Sequence, residues 1–324
     1  MDWSDRHCRY FWRAISPSAH LYSEMVTTGA ILHGDKDRFL KFDPAEHTVA
    51  LQLGGSDPKE LAQCAAIGEQ YGYDEINLNV GCPSDRVQNG MIGAILMKHA
   101  TLVRDCLAAM IENTDIDITV KHRIGVDDME DYAGLRDFVG TVAESGCKTF
   151  IVHARKAWLK GLSPKQNREV PPLNYPLVYQ LKREFPHLEI ILNGGITSVD
   201  ECHEHLKFLD GVMLGRAPYQ DPMLLVEVEQ RLFQRPEYQP TRRELLEAFI
   251  PYVQEQMMQG VALNHITRHI LGLYHGVPGG KAFRRLLSQR AHLKDSGPEL
   301  ILQAIEAAEK ASQSPRALGQ DSKI

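Results

Sequence analysis

EINLNVG, residues 75–81, is a short strand-like run that closes on Asn79, Val80 and Gly81 and gives way to a helical stretch. Six further runs have the same form: LYSEMVTTG (21–29), VALQLGG (49–55), ITVKHRIG (118–125), TFIVHAR (149–155), EIILNGG (189–195) and GVMLGRA (211–217). Apolar runs bounded by glycine and alternating with helices predict a parallel sheet with helical crossovers. Successive runs lie roughly 25–40 residues apart, the length of one strand–helix unit. No GxGxxG opens the first unit, which disfavours an open dinucleotide-binding sheet and favours a (β/α)8 TIM barrel. The strand count is one short of eight, because the chain opens on a helix-like segment, Asp5 to Ile15. A barrel short of one strand leaves two unpaired edges, which proteins avoid. The expectation is therefore a barrel whose first strand is missing from the chain as given.

The runs share a second property, which is polar or glycine residues at their carboxyl ends. These are Gln52, Asn79, Lys121 with Arg123, His153 with Arg155, Asn193, and Arg216. In a parallel barrel such ends converge on one face, where ligands and reacting groups sit. One buried Gln or Asn is ordinarily a structural group, but six strands with the same ending predict an active-site rim. Asn193-Gly194-Gly195 and Leu214-Gly215-Arg216 close the last two strands. Loops in that position commonly hold a phosphate through backbone N–H groups, and glycine lets the backbone come close. Arg216 and, from across the barrel, Lys121 supply charge. A phosphorylated cofactor such as flavin mononucleotide suits the arrangement.

Six cysteines stand at 8, 64, 82, 106, 147 and 202, with no CxxC pair and no His/Cys set of zinc-finger spacing. Cys64, Cys106, Cys147 and Cys202 lie in or beside predicted helices and read as small buried hydrophobes. Cys82 differs, because GCPS places it just beyond a strand end at the barrel mouth. No base or Asp–His relay adjoins it in sequence, so proton donation and nucleophilic attack both remain open for it.

From about residue 224 the pattern becomes wholly helical, over 224–234, 241–259, 261–275, 280–290 and 297–312. The expected division is a barrel domain over 1–235, a helical domain over 236–312 joined through PEYQPT, and a polar, disordered tail over 313–324. The 324 residues are 43% hydrophobic and 24% charged, with a formal net charge of −6. That composition fits a soluble globular protein and excludes a globally basic nucleic-acid coat. No run reaches the length of a membrane span, and MDWSDRHCRYFWR lacks the apolar centre of a secretory signal. A reduced, cytoplasmic enzyme is expected. Basic residues still cluster twice. Arg155, Lys156, Lys160, Lys165 and Arg168 share one long loop. His265, Arg268, His269, Lys281, Arg284, Arg285 and Arg290 lie in the helical part. The two clusters suit a polyanion.

NLNVGCPSDRVQNG (77–90), VALQLGGSDP (49–58), VKHRIG (120–125), IVHARKAWLKGLSPKQNRE (151–169), NGGI (193–196) and DGVMLGRAPY (210–219) strongly resemble the tRNA-dihydrouridine synthases. The loop RKAWLKGLSPKQNREVPPL (155–173) and HITRHILGL (265–273) look like the A subgroup. The resemblance covers roughly residues 1–310 and implies a flavin-bearing (β/α)8 barrel with a helical tRNA-binding domain. It implies reduction of the C5–C6 double bond of uridine in the D loop of tRNA, at U20 and U20a, with FMN recharged by NADPH. The flavin contacts it implies are Gln52, Lys121, His153, Asn193, Gly194, Gly195, Gly215 and Arg216. Cys82 matches the family's proton donor, and Asn79 the residue that holds the substrate base. Arg123, Arg155, Lys165, Arg168, Lys281 and Arg284 are the expected tRNA contacts. No protein partner or metal is expected. Relatives carry an Ala-Pro-Met-like segment just before the match to Asp2-Trp3, so the resemblance too places the missing strand upstream of Met1. Two further readings are a flavin-dependent barrel reductase of a small molecule and a tRNA-binding protein inactivated by truncation.

Overall fold

The computed structural model describes residues 3–84, 90–129 and 131–313. The tail from 314 onward and the 85–89 stretch of NLNVGCPSDRVQNG lie outside the described residues. The chain divides into two compact units, one over His20–Gly215 with the first two residues, the other formed by Trp3–Ala19 and Arg216–Ile324.

The first unit is a parallel sheet of seven strands: β1 (Leu21–Thr27), β2 (Val49–Gly54), β3 (Glu75–Val80), β4 (Asp117–Arg123), β5 (Thr149–His153), β6 (Glu189–Asn193) and β7 (Gly211–Met213). Their order in the sheet is their order in the chain, as a singly wound barrel requires. No strand stands between β1 and β7 among the described residues. The main crossover helices are Pro58–Gln70, Ala100–Glu112, Tyr132–Ala143, Tyr175–Glu184 and Val199–Leu206. Every residue of β3 is buried, because helices cover one face and side chains from neighbouring strands the other. Gly68 shows how close the cover lies: a Cβ there would sit 2.7 Å from Ile76 Cδ1 and 2.8 Å from Leu51 Cδ2. Ile76 and Leu51 thus face the helix. Glu75, Asn77 and Asn79, which alternate with Ile76 and Leu78, face the interior of the curled sheet.

The second unit is all helical. Its principal helices are α1 (Arg6–Ile15), α2 (Leu224–Arg231), α3 (Arg242–Met258), α4 (Leu263–Thr267), α5 (Gly280–Arg290) and α6 (Glu299–Ser312). Thr241 caps α3 in a reciprocal box with Glu244. The structure departs from the expected bounds at three places. The division falls at residue 215/216, ahead of the PEYQPT stretch, because Leu225 and Val226 of α2 belong to the helical core with Phe249, Ile266, Phe283 and Ile305. Residues 3–19 join the same unit, because Phe11 and Ile15 of α1 bury themselves in that core. The stretch 261–275 is also not one helix. It is α4 followed by turns and a short 3₁₀ segment, Leu271–Tyr274. At Gly272 the backbone passes so near Tyr219 that a Cβ would lie 2.5 Å from its carbonyl oxygen. No helix among the described residues is long and apolar enough to cross a membrane.

Candidate active site at the carboxyl ends of the strands

Cys82 is set by a turn that Asn79 caps. The Asn79 Oδ1 accepts hydrogen bonds from the backbone N–H of both Gly81 and Cys82, each at 3.0 Å. This is the usual use of an Asn side chain to mimic a backbone turn. Asn79 is itself held by Gln52, whose Oε1 accepts from Asn79 Nδ2 at 2.7 Å. The Cys82 carbonyl accepts from the Ala94 N–H at 2.8 Å. Cys82 is half-buried, whereas the other five cysteines are fully buried. The reading of Cys64, Cys106, Cys147 and Cys202 as apolar filling agrees with that, and Cys8 joins them. Burial pushes the Cys64, Cys106 and Cys147 thiols up to about 12, which leaves them inert at neutral pH.

Lys121 lies beside Asn79 in the β3–β4 ladder. Burial pulls its pKa down to about 8. The Arg123 charge adds to that fall, and Cys82 opposes it. Its ammonium has no hydrogen-bond partner among the described residues. An unpaired cation in such surroundings fits an acceptor-rich ligand. Two glycine features fit the same ligand. At Gly194, φ is 109°, and a Cβ would lie 2.4 Å from His153 Cδ2. Only glycine lets the His153 ring lie on that turn. Gly195 follows at φ 79°, and the Tyr175 hydroxyl donates to the Gly194 carbonyl at 2.9 Å. At Gly215 a Cβ would meet nothing within 4 Å, so the backbone there borders open space. Asn193 Nδ2 donates to the Met213 carbonyl at 2.8 Å and ties the ends of β6 and β7 together. Gln52, Lys121, His153, Asn193, Gly194, Gly195 and Gly215 thus share the carboxyl-end face of the first unit. Arg216 opens the helical unit, at the N-cap of a four-residue helix, Ala217–Gln220.

The expected tRNA contacts fall into two groups. Arg123 is 3% exposed, and its guanidinium donates to the carbonyls of Gly81, Lys156 and Asn167 at 2.9, 3.0 and 2.9 Å. It is a buried pin for the loops around Cys82, its donors taken up by those three carbonyls. Arg155 likewise donates within its own loop, to the Glu169 and Pro171 carbonyls. Lys165, Arg168 and Lys281 are exposed, and Arg284 is half-buried. In the helical cluster, His269 is 1% exposed and lies 2.9 Å from Asp5, which also takes Arg268 at 2.6 Å. His269 is thereby removed from any phosphate-facing surface.

Sequence reasoning missed three groups here. Asn167 is fully buried and organises the basic loop, its amide bonding the Trp158 backbone in both directions at 2.8 and 2.9 Å. Trp158 on that loop is 53% exposed. The third group is the polar interior beneath Asn79, namely Glu75, Asn77 and Thr119. Its signal was the period-two polar spacing in EINLN.

The family profile described as "Dihydrouridine synthase (Dus)" matches residues 1–312. This chain belongs to the dihydrouridine synthase family. The tRNA-dihydrouridine(20/20a) synthase of Xanthomonas axonopodis pv. citri is 57% identical over 312 residues, covering 96% of this chain and 93% of that one. The protein of the same name from Pseudomonas aeruginosa is 56% identical over 306 residues, covering 94% and 92%. Among solved structures, morphinone reductase superposes with a TM-score of 0.51 at 13% identity, over 72% of this chain and 82% of that one. Histamine dehydrogenase from Rhizobium sp. 4-9 gives a TM-score of 0.52 at 13% identity, over 70% and 44%. These two likenesses concern the fold alone.

Proposed function

We propose that this member of the family reduces uridine to 5,6-dihydrouridine at positions 20 and 20a of the tRNA D loop, as the names of its relatives describe for them. The carrying observation is the capped Asn79–Cys82 turn beside the unpaired ammonium of Lys121. FMN is the cofactor that the residues fit, with NADPH as its reductant. Lys121, Gln52, His153, Asn193 and the glycines at 194, 195 and 215 would hold it, with Arg216 as a further contact. The chemistry it would supply when bound is hydride delivery to C6 of the uracil ring.

The chain's own residues do the rest. The C5–C6 bond is conjugated with the C4 carbonyl, so electrons arriving at C6 collect as an enolate that needs a proton at C5. The Cys82 thiol donates that proton as general acid. The thiolate left behind faces the charges of Lys121 and Arg123 and regains its proton from solvent. One N–H of Asn79 binds Gln52, and the other, without a partner among the described residues, would hold a carbonyl of the base. The target base must leave its stack to reach this turn. Lys165, Arg168, Lys281 and Arg284 bind phosphates and set which base arrives. The enzyme acts in the cytoplasm, where tRNA and NADPH are both at hand.

The test is to purify the protein, record its absorbance for flavin, and follow NADPH oxidation with unmodified tRNA. Dihydrouridine mapped to positions 20 and 20a is the expected product. Turnover of free uridine or orotate without tRNA would overturn this reading and favour a small-molecule reductase.

A further inference from the structure

The cap on Cys82 does not end at Gln52. Gln52 Nε2 donates to Asn77 Oδ1 at 2.9 Å, and Asn77 Nδ2 donates to Thr119 Oγ1 at 2.8 Å. Thr119 Oγ1 donates in turn to Glu75 Oε1 at 2.5 Å. With the Asn79–Gln52 bond at 2.7 Å and the two N–H bonds onto Asn79, one unbroken chain links the Cys82 turn to Glu75. Glu75 starts β3 and Asn79 lies four residues on, a span of about 13 Å along the strand. Glu75 is 6% exposed, Asn77 0%, Thr119 2% and Asn79 9%, while Gln52 is half-buried, so the Asn77–Thr119–Glu75 end of the chain is the part shut off from water.

The chain has a direction. The backbone N–H groups at one end can only donate, and a carboxylate at the other can only accept. Between those ends every amide has one consistent orientation, since turning any one over sets donor against donor. Burial raises the Glu75 pKa, and hydrogen bonds from Thr119 and Tyr22 oppose the rise. Tyr22 donates its hydroxyl to the same oxygen, Glu75 Oε1, at 2.9 Å, with Oε2 at 3.2 Å, and His20 lies 3.6 Å from Oε2. Glu75 Oε1 is thus the shared acceptor for Thr119 and Tyr22.

We propose that Glu75 is a positioning residue for the reaction: through Thr119, Asn77 and Gln52 it fixes the Asn79 amide, and so the turn that presents Cys82 and the amide face offered to the base. Glu75 itself touches none of the reacting atoms. The proposal deepens the function given above and rests on it for its kinetic consequence, but not for its structural one.

The experiment uses the full chain with Glu75→Leu, Glu75→Gln and Thr119→Val. Hydrogen exchange is read at the Gly81 and Cys82 amides, with Ile190 on β6 as the control. Glu75→Leu and Thr119→Val should each speed exchange at Gly81 and Cys82 about fivefold, as expected for a weakened hydrogen bond, and leave Ile190 unchanged. Glu75→Gln keeps an acceptor for Thr119 and should stay within about twofold of the parent. In single-turnover oxidation of the reduced enzyme by tRNA, Glu75→Leu and Thr119→Val should be slower by roughly tenfold or more, with unchanged flavin reduction by NADPH. If Glu75→Leu does not fold, Thr119→Val carries the same test. Parent-like exchange at Gly81 and Cys82, equal acceleration at Ile190, or a Glu75→Gln variant as fast as Glu75→Leu would each overturn the proposal. Exchange needs no substrate, so a parent enzyme that makes no dihydrouridine would overturn the functional reading alone.

Discussion

Replacing Arg123 by Met should loosen the whole carboxyl-end face. The guanidinium joins three separate segments through the carbonyls of Gly81, Lys156 and Asn167. Met keeps an apolar stem of similar length and removes all three donors. A hydrogen bond to a charged group contributes about 1.5–3 kcal/mol, so three would give about 4.5–9 kcal/mol. Two corrections lower that sum. The bonds to Gly81 and Lys156 are only part-buried, and removing the guanidinium relieves its own desolvation, which pulls its pKa down to about 10. The expected loss is about 3–5 kcal/mol, or a fall in melting midpoint of roughly 6–15 °C. Arg123→Lys keeps the charge without the fork, reaches one carbonyl, and should recover about a third of the loss. Gly81 adjoins Cys82, so proton delivery should slow as well. The assay pairs calorimetric melting with single-turnover oxidation of the reduced enzyme by tRNA. A midpoint within about 1 °C of the parent, with an unchanged turnover rate, would refute the reasoning and return Arg123 to the substrate surface.

Four further outcomes are expected. Cys82→Ala should keep flavin and tRNA affinity and lose about 10²–10⁴ in the rate of dihydrouridine formation; a parent rate in single turnover would remove Cys82 as the acid. Lys121 titrates near pH 8 in the free protein, so flavin binding that restores its charge should take up protons at pH 9 and none at pH 6. Calorimetry in buffers of different ionisation enthalpy reads this, and Lys121→Met should abolish the buffer dependence. His122 is fully buried against Phe138 and Phe150, and burial holds its pKa down to about 4. The unfolded chain therefore binds its proton first, and stability should fall by about 3 kcal/mol as pH drops from 6.5 to 4. Acid melts of the parent and of His122→Gln should differ by that loss. Arg168→Ala and Arg284→Ala should each reduce the slope of log tRNA affinity against log salt by about 0.7–0.9; unchanged slopes in filter binding would make both residues ordinary solvated charges.

Local sequence fixed the strand–helix alternation, because a parallel strand covered on both faces must be a continuous apolar run. VALQLG announced itself in that way, whereas EINLNV alternates apolar and polar residues because its interior face carries Glu75, Asn77 and Asn79. Local sequence also showed a recurring polar rim at the carboxyl ends of the strands, where Asn79, His153 and Asn193 lie. Cys82 stood apart from the other cysteines by its place after a strand and before Pro83. What sequence could not supply was the assignment of partners. Arg123 and Arg168 look alike in a string of letters, but one is buried against three carbonyls and the other is exposed. His269 looked like part of a basic patch until Asp5, distant in the chain, came to lie beside it. Residues 3–19 precede β1 yet complete the core of a unit that resumes at Arg216, since Phe11 and Ile15 need apolar contacts that only the later helices provide. The chain from Cys82 to Glu75 crosses β2, β3 and β4. Its members are set by the register of neighbouring strands, and register is decided when distant segments pack together.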